Sequence, residues 1–422
     1  MPDLPISLDG QWTTNWEGAL AYRARRMTSS VIRETLKLMS TPGIISLGGG
    51  MPAPELFPIR EFEEACRYIL ANEGAQALQY SVTEGYPPLK GFLADKMRKY
   101  GVPAEEENIQ IVNGSQQALD LVGKVFLDPG DVILTDRPTY LGAIQAWNAY
   151  EARFITVPLD DAGTQVEQVE EVLKNERVKF IYCLPNFHNP AGVTLSLERR
   201  HRLVELASRH GVFIVEDDPY GELRFEGEDL TPLITLHKEN VIYLSTFSKT
   251  LSPGIRLGWI TAPARVLSKI VQAKQGTDLH TSIFTQMVAN DICQRGFLRQ
   301  HVRRIRDVYR ERCSVMLNAM SKHFPAGVRW THPQGGLFLW VMLPPPMNSL
   351  DLLKAALEEK VAFIPGTAFY PDGVSGQDAL RLTFSTATPD MINEGIERLG
   401  KAMERQLDTH GNQTRPTSES PR

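Results

Sequence analysis

The chain has 422 residues, of which 42% are hydrophobic and 23% are charged, and its formal net charge at pH 7 is -5. This length suits roughly two or three ordinary domains with a large core, and the composition is that of a soluble globular protein. The lack of a basic surplus argues against nucleic-acid binding. No continuous apolar run is long enough to predict a membrane span.

Two further features predict a cytoplasmic protein. The first ten residues lack a basic segment followed by an apolar stretch, so no secretion signal is expected. The cysteines lie far apart and form no CxxC pair, which favours buried thiols in a reducing compartment; they are Cys66, Cys183, Cys293 and Cys313. The nine histidines show no metal-ligand spacing, so we predict no metal site.

The N-terminal part predicts one helix, Ser29–Met39, followed by the apolar run Ile44–Leu47 and a glycine-rich turn. From there to about residue 262, short β-rich runs alternate with amphipathic stretches typical of helices. The predicted strands are Ile109–Val112, Asp131–Leu134, Phe154–Val157, Lys179–Cys183, Val212–Val215, Val241–Leu244 and Leu257–Ala262. The predicted helices between them include Gln116–Phe126, Leu141–Tyr150, Gln165–Lys174 and Leu197–His210. This alternation predicts an α/β fold with a mostly parallel, seven-stranded sheet covered by helices.

Beyond Phe297 the pattern changes to a long helix, Arg299–His323, then short strands and a final helix, Pro389–Arg405. The short strands are expected within Gly336–Met342, Val361–Ile364 and Leu380–Phe384. We therefore predict an N-terminal arm (1–54) that joins a small domain, a large cofactor-binding domain (55–300) and the small α+β domain itself (301–406). Residues 407–422 are polar and contain prolines, which predicts a disordered tail.

The most informative segment surrounds Lys249, which follows the apolar run Val241–Leu244. The hydroxyls of Thr246 and Ser248 stand just before the lysine, and Arg256 follows it seven residues later. An amine among hydroxyls and an arginine suits a covalent attachment beside a phosphate, as an enzyme needs to hold pyridoxal phosphate as an imine. The glycines of a P-loop are missing upstream, which argues against nucleotide hydrolysis.

A second candidate segment ends the strand Val212–Val215 with acids. Because ligands gather at the carboxyl ends of strands in open α/β sheets, Asp217 is the best candidate to face the ring nitrogen of such a cofactor. Tyr220 is a candidate partner of its phenolic oxygen. These residues are equally typical of a solvated turn that caps a helix.

Two polar turns follow neighbouring strands. In the Asn-Pro turn after Cys183, Asn189 is a candidate donor to the cofactor's phenolate oxygen, whereas the adjacent His188 is interpreted as structural. In the turn after Val112, Ser115 and Gln116 begin a helix, where free N–H groups and the helix dipole favour a phosphate. Helix capping by Ser115 is the compatible alternative.

Two more side chains have open interpretations. Tyr140 follows a strand, and it suits either stacking on a cofactor ring or an ordinary core position. Arg381 stands within an apolar alternation, where a charge must be paired. A bidentate clamp on a substrate carboxylate and a structural ion pair explain it equally well.

Over nearly its whole length the chain resembles the class I/II aminotransferases, which are fold-type I pyridoxal-phosphate enzymes. The resemblance rests on the Lys249 block with its downstream arginine, and on Ile44–Pro58, Gln79–Ser81, Thr83–Gly85 and Gly114–Asp120. These segments are similar to the branch that contains 2-aminoadipate aminotransferase, kynurenine aminotransferase II and the aminotransferase-like half of MocR regulators.

The resemblance implies a role for each matching residue. Lys249 is implied as the Schiff-base lysine and proton shuttle, and Asp217 as the partner of the pyridinium proton. Asn189 and Tyr220 are implied at the phenolate oxygen and Tyr140 on the ring. The implied phosphate ligands are Ser115, Gln116, Thr246, Ser248 and Arg256, with Tyr80 reaching the phosphate of the other subunit of a homodimer. Arg381 and the backbone around Gly50 are implied at the substrate α-carboxylate, and Arg33 at a distal carboxylate. An exposed helix charge is the alternative for Arg33.

The expected activity is transfer of an amino group from an L-amino acid to a 2-oxo acid, chiefly 2-oxoglutarate, by a ping-pong mechanism. The expected donors are 2-aminoadipate and aromatic or aliphatic amino acids. A lyase or decarboxylase of the same fold uses the same lysine and aspartate and stays an alternative. A MocR-like effector sensor is less favoured, because only about forty residues precede Ile44, fewer than a DNA-binding helix-turn-helix domain needs.

Overall fold

A computed structural model describes residues 14–25 and 43–413, and the side chains of these residues up to 408. The predicted helix Ser29–Met39, with Arg33, lies outside the described residues, as do residues 414–422 of the predicted tail. The strands are β1 (Ile45–Ser46), β2 (Ile109–Val112), β3 (Val132–Arg137), β4 (Arg153–Asp160), β5 (Gly163–Thr164), β6 (Val178–Cys183), β7 (Phe213–Asp217), β8 (Val241–Thr246), β9 (Gly258–Thr261), β10 (Arg329–Trp330), β11 (Phe338–Met342), β12 (Val361–Ala362), β13 (Ile364–Pro365) and β14 (Ala379–Thr383).

In the described part of the chain, the large sheet has eight strands in the order β2-β9-β8-β7-β6-β3-β4-β5. Strands β8, β7, β6, β3 and β4 run parallel, whereas β9 is antiparallel to both of its neighbours. The α/β fold with a mostly parallel sheet is therefore confirmed. The eighth strand is β5, which the sequence analysis did not predict; the chain turns back onto β4 at Gly163, whose φ of 90° is one that glycine adopts readily.

Helices cover both faces of this sheet, as its apolar strands require. Every residue of β2 and β8 is buried, so neither strand faces solvent on either side. The helices of this region are Ile59–Ala77, Pro87–Lys99, Ser115–Phe126, Leu141–Asn148, Val166–Asn175, Leu197–Arg209, Leu233–Leu236, Ala264–Asp278 and Ile283–Gln294. Among the described residues, no helix combines the length and apolar character needed to cross a bilayer.

The strand register determines where the candidate residues lie. Asp217 at the end of β7 is paired with Leu244 of β8, and Cys183 at the end of β6 is paired with Glu216 of β7. Because these strands are parallel, the polar turns that follow them lie at one edge of the sheet.

A second sheet follows the long helix Phe297–His323 and has the antiparallel order β10-β11-β14-β13. In this sheet Trp340 of β11 is paired with Arg381 of β14. The short strand β1 pairs in parallel with β12, so the N-terminal region is attached to the C-terminal part of the chain. The remaining helices are the short Trp16–Ala19 and Tyr22–Arg25, then Ser349–Glu358 and Pro389–Gln413.

The final helix is longer than predicted. It continues from Pro389 to Gln413, whereas the sequence analysis ended it at Arg405 and assigned residues 407–413 to the tail. Leu407 packs against the main hydrophobic cluster, which gives the additional turns an apolar contact that a polar composition did not suggest.

Candidate active site

Lys249 lies in the middle of the turn that follows β8. Its Nζ donates a hydrogen bond at 2.8 Å to the carbonyl oxygen of Gly50, on the glycine-rich turn of the N-terminal region. Burial, together with the charges of Arg381 and Arg256, lowers the pKa of Lys249 to about 8. A larger share of this amine is therefore neutral near pH 7 than of an ordinary lysine, which makes it a better nucleophile and proton acceptor.

Asp217 is a buried carboxylate at the carboxyl end of β7, and only 1% of its surface is exposed. Its Oδ2 accepts a hydrogen bond at 2.9 Å from the hydroxyl of Tyr182, whereas its Oδ1 has no partner among the described residues. Burial raises the pKa of Asp217 to about 7 even though the Tyr182 hydrogen bond lowers it. A buried acceptor without a donor is costly, so this oxygen is suited to receive an N–H from a bound group.

Asn189 and Tyr220 lie together at the ends of adjacent strands. The amide Nδ2 of Asn189 donates to the Tyr220 hydroxyl at 3.4 Å, and both side chains are buried. Burial and the neighbouring Tyr140 raise the pKa of Tyr220, so its hydroxyl is protonated and can donate to an oxygen of a ligand. The structure thus brings together the pair that the sequence analysis placed at the phenolate oxygen.

A glycine-lined corner precedes the helix Ser115–Phe126. Gly114 has a φ of 78°, and a Cβ there would lie 2.6 Å from Nη2 of Arg256. A Cβ on Gly258 would lie 2.8 Å from the Ser245 carbonyl oxygen and 2.9 Å from the backbone nitrogen of Ser115. These close approaches require glycine and present the first N–H groups of a helix to an anion.

Arg256 supplies the positive charge at this corner. Its side chain is exposed, and no carboxylate among the described side chains forms an ion pair with it. Nη2 donates to the Asn113 carbonyl oxygen at 3.4 Å. Nearby, the buried Thr246 hydroxyl donates to the Leu257 carbonyl oxygen at 2.9 Å and accepts the Ser248 N–H at 3.1 Å. The block that the sequence analysis singled out is therefore folded as a compact turn against the corner.

Arg381 is buried and held from several sides. Its guanidinium carbon lies 4.3 Å from the ring centroid of Phe338 and 4.8 Å from that of Phe369. Nη1 donates to Asn189 Oδ1 at 2.8 Å and Nη2 to the Gly48 carbonyl oxygen at 2.7 Å, while Nε has no partner. No carboxylate among the described side chains pairs with it, and burial lowers its pKa to about 10. The ion-pair alternative is not realised within the described structure, and the guanidinium is available to an external carboxylate.

Tyr140 and Gln116 both contact Gly142, near the start of the helix Leu141–Asn148. A Cβ on Gly142 would lie 2.5 Å from the Tyr140 ring, so the ring lies directly against the start of the helix Leu141–Asn148. The Gly142 carbonyl oxygen accepts a hydrogen bond at 2.8 Å from Gln116 Nε2. Burial, together with the Asp217 charge, raises the pKa of Tyr140 to about 12, so its hydroxyl is protonated near neutral pH.

Tyr80 is separate from this cluster within the chain. Its side chain is 78% exposed and contacts His280 edge-on, with ring centroids 5.9 Å apart. Gly50, by contrast, lies in the cluster, because its carbonyl oxygen accepts from Lys249 and a Cβ on it would lie 3.0 Å from the ring of Phe338. Arg33 lies outside the described residues.

His188, interpreted from the sequence as a supporting or structural residue rather than a catalytic one, is buried beside Asp136. It is 1% exposed, and its Nδ1 accepts the Ala191 N–H at 3.3 Å. Its Nε2 lies 3.6 Å from Asp136 Oδ2. Burial lowers the pKa of His188 to about 3 and raises that of Asp136 to about 7. The imidazole of His188 is therefore neutral near pH 7.

Sequence reasoning missed three side chains that shape this site: Tyr182, Phe338 and Phe369. Tyr182 lies on β6 beside Asp217 of β7, and the two aromatic rings enclose Arg381. Each reads as an ordinary core residue in its local pattern. Only Tyr182 offered a signal, since a tyrosine in a strand as apolar as β6 requires a partner for its hydroxyl.

The described residues fit pyridoxal 5'-phosphate. Such a cofactor needs an amine, an acceptor for its ring N–H, a donor to its phenolic oxygen and an anion site for its phosphate. Lys249, the unpartnered Oδ1 of Asp217, the Asn189–Tyr220 pair and the corner formed by Gly114 and Arg256 supply these groups.

Comparisons with known proteins agree with this geometry. The sequence model of the family "Aminotransferase class I and II" matches residues 44–399. The chain is 46% identical over 393 residues to 2-aminoadipate transaminase of Thermus thermophilus, covering 92% of this chain and 97% of that protein. It is 43% identical over 402 residues to aromatic-amino-acid aminotransferase 1 of Thermococcus litoralis, covering 94% and 96%.

Among solved structures, the chain is similar to alpha-aminoadipate aminotransferase from Thermus thermophilus complexed with N-(5'-phosphopyridoxyl)-L-leucine. The TM-score is 0.88 with 44% sequence identity, and the match covers 94% of this chain and all of that chain. The family match, these relatives and the geometry of the site lead to one conclusion: the chain belongs to the class I and II aminotransferases and is an enzyme that depends on pyridoxal 5'-phosphate.

Proposed function

We propose that this enzyme transfers the amino group of an L-amino acid to a 2-oxo acid, with 2-oxoglutarate as the principal acceptor, in a ping-pong reaction. The proposed donors are 2-aminoadipate and aromatic, branched or long aliphatic amino acids. The names of the relatives from Thermus and Thermococcus support the acidic and aromatic donors. The observation that carries the proposal is the state of Arg381. This buried arginine donates to an amide and a backbone carbonyl oxygen, but it forms no ion pair with a carboxylate among the described side chains.

The glycine-rich turn brings the two key cations together. Arg381 donates to the carbonyl oxygen of Gly48, and Lys249 donates to that of Gly50, two residues further along the same turn. A substrate whose α-carboxylate is bound by Arg381 therefore has its amino end near Lys249. The planar guanidinium, held between two rings, is suited to bind a carboxylate with a defined orientation.

Lys249 and Asp217 have distinct proposed roles. When bound, the cofactor withdraws electrons from the bonds at the substrate α-carbon into its ring. Asp217 Oδ1 would hold a proton on the ring nitrogen, and the burial of this carboxylate excludes water from that contact. Lys249 Nζ, with a pKa of about 8, would accept the α-proton and return it to the cofactor.

The remaining site residues are proposed to hold the cofactor. Ser115, Gln116 and the N-terminal N–H groups of the helix Ser115–Phe126 would bind the phosphate, with Thr246, Ser248 and Arg256 on its other side. The close packing of Gly114 and Gly258 against this corner supports that position. Asn189 and Tyr220 would bind the phenolate oxygen, and Tyr140 would lie against the ring.

We also propose a homodimer in which Tyr80 completes the site of the partner subunit. Around it the single chain exposes an unusual group of apolar side chains: Leu78 is 75% exposed, Val82 54% and Leu279 48%. Large exposed apolar clusters of this kind are typical of protein interfaces. The same proposal places the enzyme in the cytoplasm, a compartment that suits the free thiols of its cysteines.

A panel of amino donors tests the assignment. Each donor is incubated with the purified holoenzyme and 2-oxoglutarate, and glutamate formation is measured. Formation of glutamate from 2-aminoadipate and from aromatic donors is expected. Release of ammonia together with a 2-oxo acid product in the absence of any acceptor would instead indicate a lyase and contradict the proposal.

The panel also addresses Arg33. If this residue binds a distal carboxylate, replacement by alanine should lower kcat/KM for 2-aminoadipate while leaving an aliphatic donor unaffected. If acidic donors do not react while aromatic donors do, the role proposed for Arg33 is wrong.

A further inference from the structure

A closed network of polar side chains lies directly behind the phosphate corner. Its centre is Asp278, the last residue of the helix Ala264–Asp278, whose side chain is 21% exposed. Lys274, one turn earlier on the same helix and 0% exposed, donates to both oxygens of this carboxylate at 2.8 Å. The two opposite charges therefore neutralise one another inside the protein.

The network reaches the corner through Asn113 and Gln117. Oδ2 of Asp278 accepts hydrogen bonds from Asn113 Nδ2 at 2.5 Å and from Gln117 Nε2 at 2.6 Å. Gln117 Oε1 in turn accepts the Asn113 backbone N–H at 2.8 Å and a bond from Lys274 at 2.9 Å. Asn113 is thus held by both its side chain and its backbone, immediately before Gly114.

The carbonyl oxygen of Asn113 connects this network to Arg256. It accepts the Nη2 donor of Arg256 at 3.4 Å, while the same guanidinium packs against Gly114. The corner residues Gly114 and Ser115 lie between two fixed points, since Asn113 precedes them and Gln117 follows them. A shift of Asp278 would therefore move both ends of the corner.

The ion pair with Lys274 favours an acid at this position, but two features of the helix end oppose it. A carboxylate in the last turn of a helix is repelled by the negative end of the helix dipole. Leu279, the next residue, adopts a φ of 66°, which is unfavourable for a side chain of its type. Burial alone would raise the pKa of Asp278, but the hydrogen bonds from Lys274 and Gln117 outweigh it and lower the pKa, so the carboxylate is charged.

We propose that Asp278, held by Lys274, is a positioning residue that fixes the segment Asn113–Ser115 in the conformation that binds the cofactor phosphate. The inference rests on the phosphate position proposed above. Asp278 itself does not contact the cofactor in this arrangement, because Asn113 and Gln117 lie between the carboxylate and the corner.

The test compares two cofactors on the apoenzyme: pyridoxal 5'-phosphate and pyridoxal, which lacks the phosphate. Asp278→Asn preserves the shape of the side chain but removes the charge. It also replaces one of the two oxygens that accept from Lys274 with an NH2 group, which only donates. We expect its dissociation constant for pyridoxal 5'-phosphate to rise about tenfold or more. Its dissociation constant for pyridoxal should stay that of the unmodified enzyme, because the amine and ring contacts are intact.

Thr277→Ala is the matched control. Thr277 is the neighbouring helix residue, is exposed, and bonds to Ala273 and Lys124 rather than to the corner. Both dissociation constants should be unchanged in this variant. Equal weakening of both cofactors in Asp278→Asn would show a general structural role and overturn the inference, as would unchanged binding of pyridoxal 5'-phosphate.

Two more variants keep the result decisive. If Asp278→Asn does not fold, Asn113→Ala removes the same hydrogen bond from the opposite side and should show the same selective loss. Arg256→Ala separates this inference from the proposed phosphate position. Should Arg256→Ala also retain full affinity for pyridoxal 5'-phosphate, the phosphate position is wrong; should it alone lose affinity, only the role of Asp278 is wrong.

Discussion

The Tyr182 hydroxyl donates a hydrogen bond at 2.9 Å to Oδ2 of Asp217, which leaves Oδ1 of the same carboxylate buried and without a partner among the described residues. Tyr182 thus fixes the orientation of the carboxylate and directs its second oxygen toward the site. Burial holds the pKa of Asp217 near 7, so an N–H donor from the cofactor ring would also stabilise the charged form.

Asp217→Asn should lower kcat by roughly 10²-fold or more, because a neutral amide cannot stabilise a protonated ring nitrogen. Tyr182→Phe should cost less, about tenfold at most, since it removes one hydrogen bond and leaves the charge. Steady-state kinetics of the two variant holoenzymes show which substitution lowers kcat more. A larger loss in Tyr182→Phe than in Asp217→Asn would contradict the assigned roles.

Lys249→Ala should abolish turnover and the visible absorption band of the holoenzyme, because no other amine is placed to bind the cofactor covalently in the described site. Absorption spectra and single-turnover assays measure both effects. Lys269→Ala, which changes an exposed lysine bonded to Gln272, is the control and should keep the band and the activity. Turnover that persists in Lys249→Ala would refute the assignment.

The rate at which pyridoxal 5'-phosphate attaches to the apoenzyme should depend on pH through Lys249. Its pKa is lowered to about 8, so about a tenth of the amine is neutral and nucleophilic at pH 7. The rate should rise as the pH increases, with a midpoint near pH 8, and level off about one pH unit above it. Stopped-flow absorbance measures the profile. A midpoint near the ordinary lysine value would show that the amine is not desolvated as the structure indicates.

Arg381→Lys should lower kcat/KM for every amino donor by roughly 10²-fold, because lysine keeps the charge but loses the planar, bidentate fork. Arg224→Lys is a matched control. Arg224 is also a buried arginine over a ring, with its guanidinium carbon 4.7 Å from the centroid of Phe187, but it lies outside the substrate site. The control should lower thermal stability without raising KM. Similar KM values in both variants would argue against carboxylate binding by Arg381.

Mixed dimers test the role of Tyr80. A dimer of one Lys249→Ala subunit and one Tyr80→Phe subunit should retain about half the activity of the unmodified dimer. If Tyr80 acts in the partner's site, both defects fall in one site and the other is intact. If it acts within its own chain, both sites are defective and activity falls far below half. Tyr68→Phe, at another exposed tyrosine, is the control in place of Tyr80→Phe.

The alternation of apolar runs and amphipathic stretches was sufficient to predict the parallel sheet, because strands buried on both faces must be apolar and their helices must be amphipathic. Lys249, Asp217 and Asn189 stood out as candidates because each lies at or after the end of such a strand, and parallel strands bring their carboxyl ends to one edge. The sequence did not predict the short strand β5, because it depends on a single pairing with β4. It did not predict the last turns of the helix Pro389–Gln413 either, because they depend on the packing of Leu407.

No local sequence pattern predicted which side chains contact the site residues. Phe338 and Phe369 are far from one another in sequence and enclose Arg381 because β11 and β14 are paired and the turn after β13 folds beside them. Asp278 contacts Asn113 across 165 positions of the chain. The residue types proposed to perform the chemistry occur in short segments of the sequence. Which groups orient them depends on strand register and helix packing, whose energies come from contacts distant in sequence.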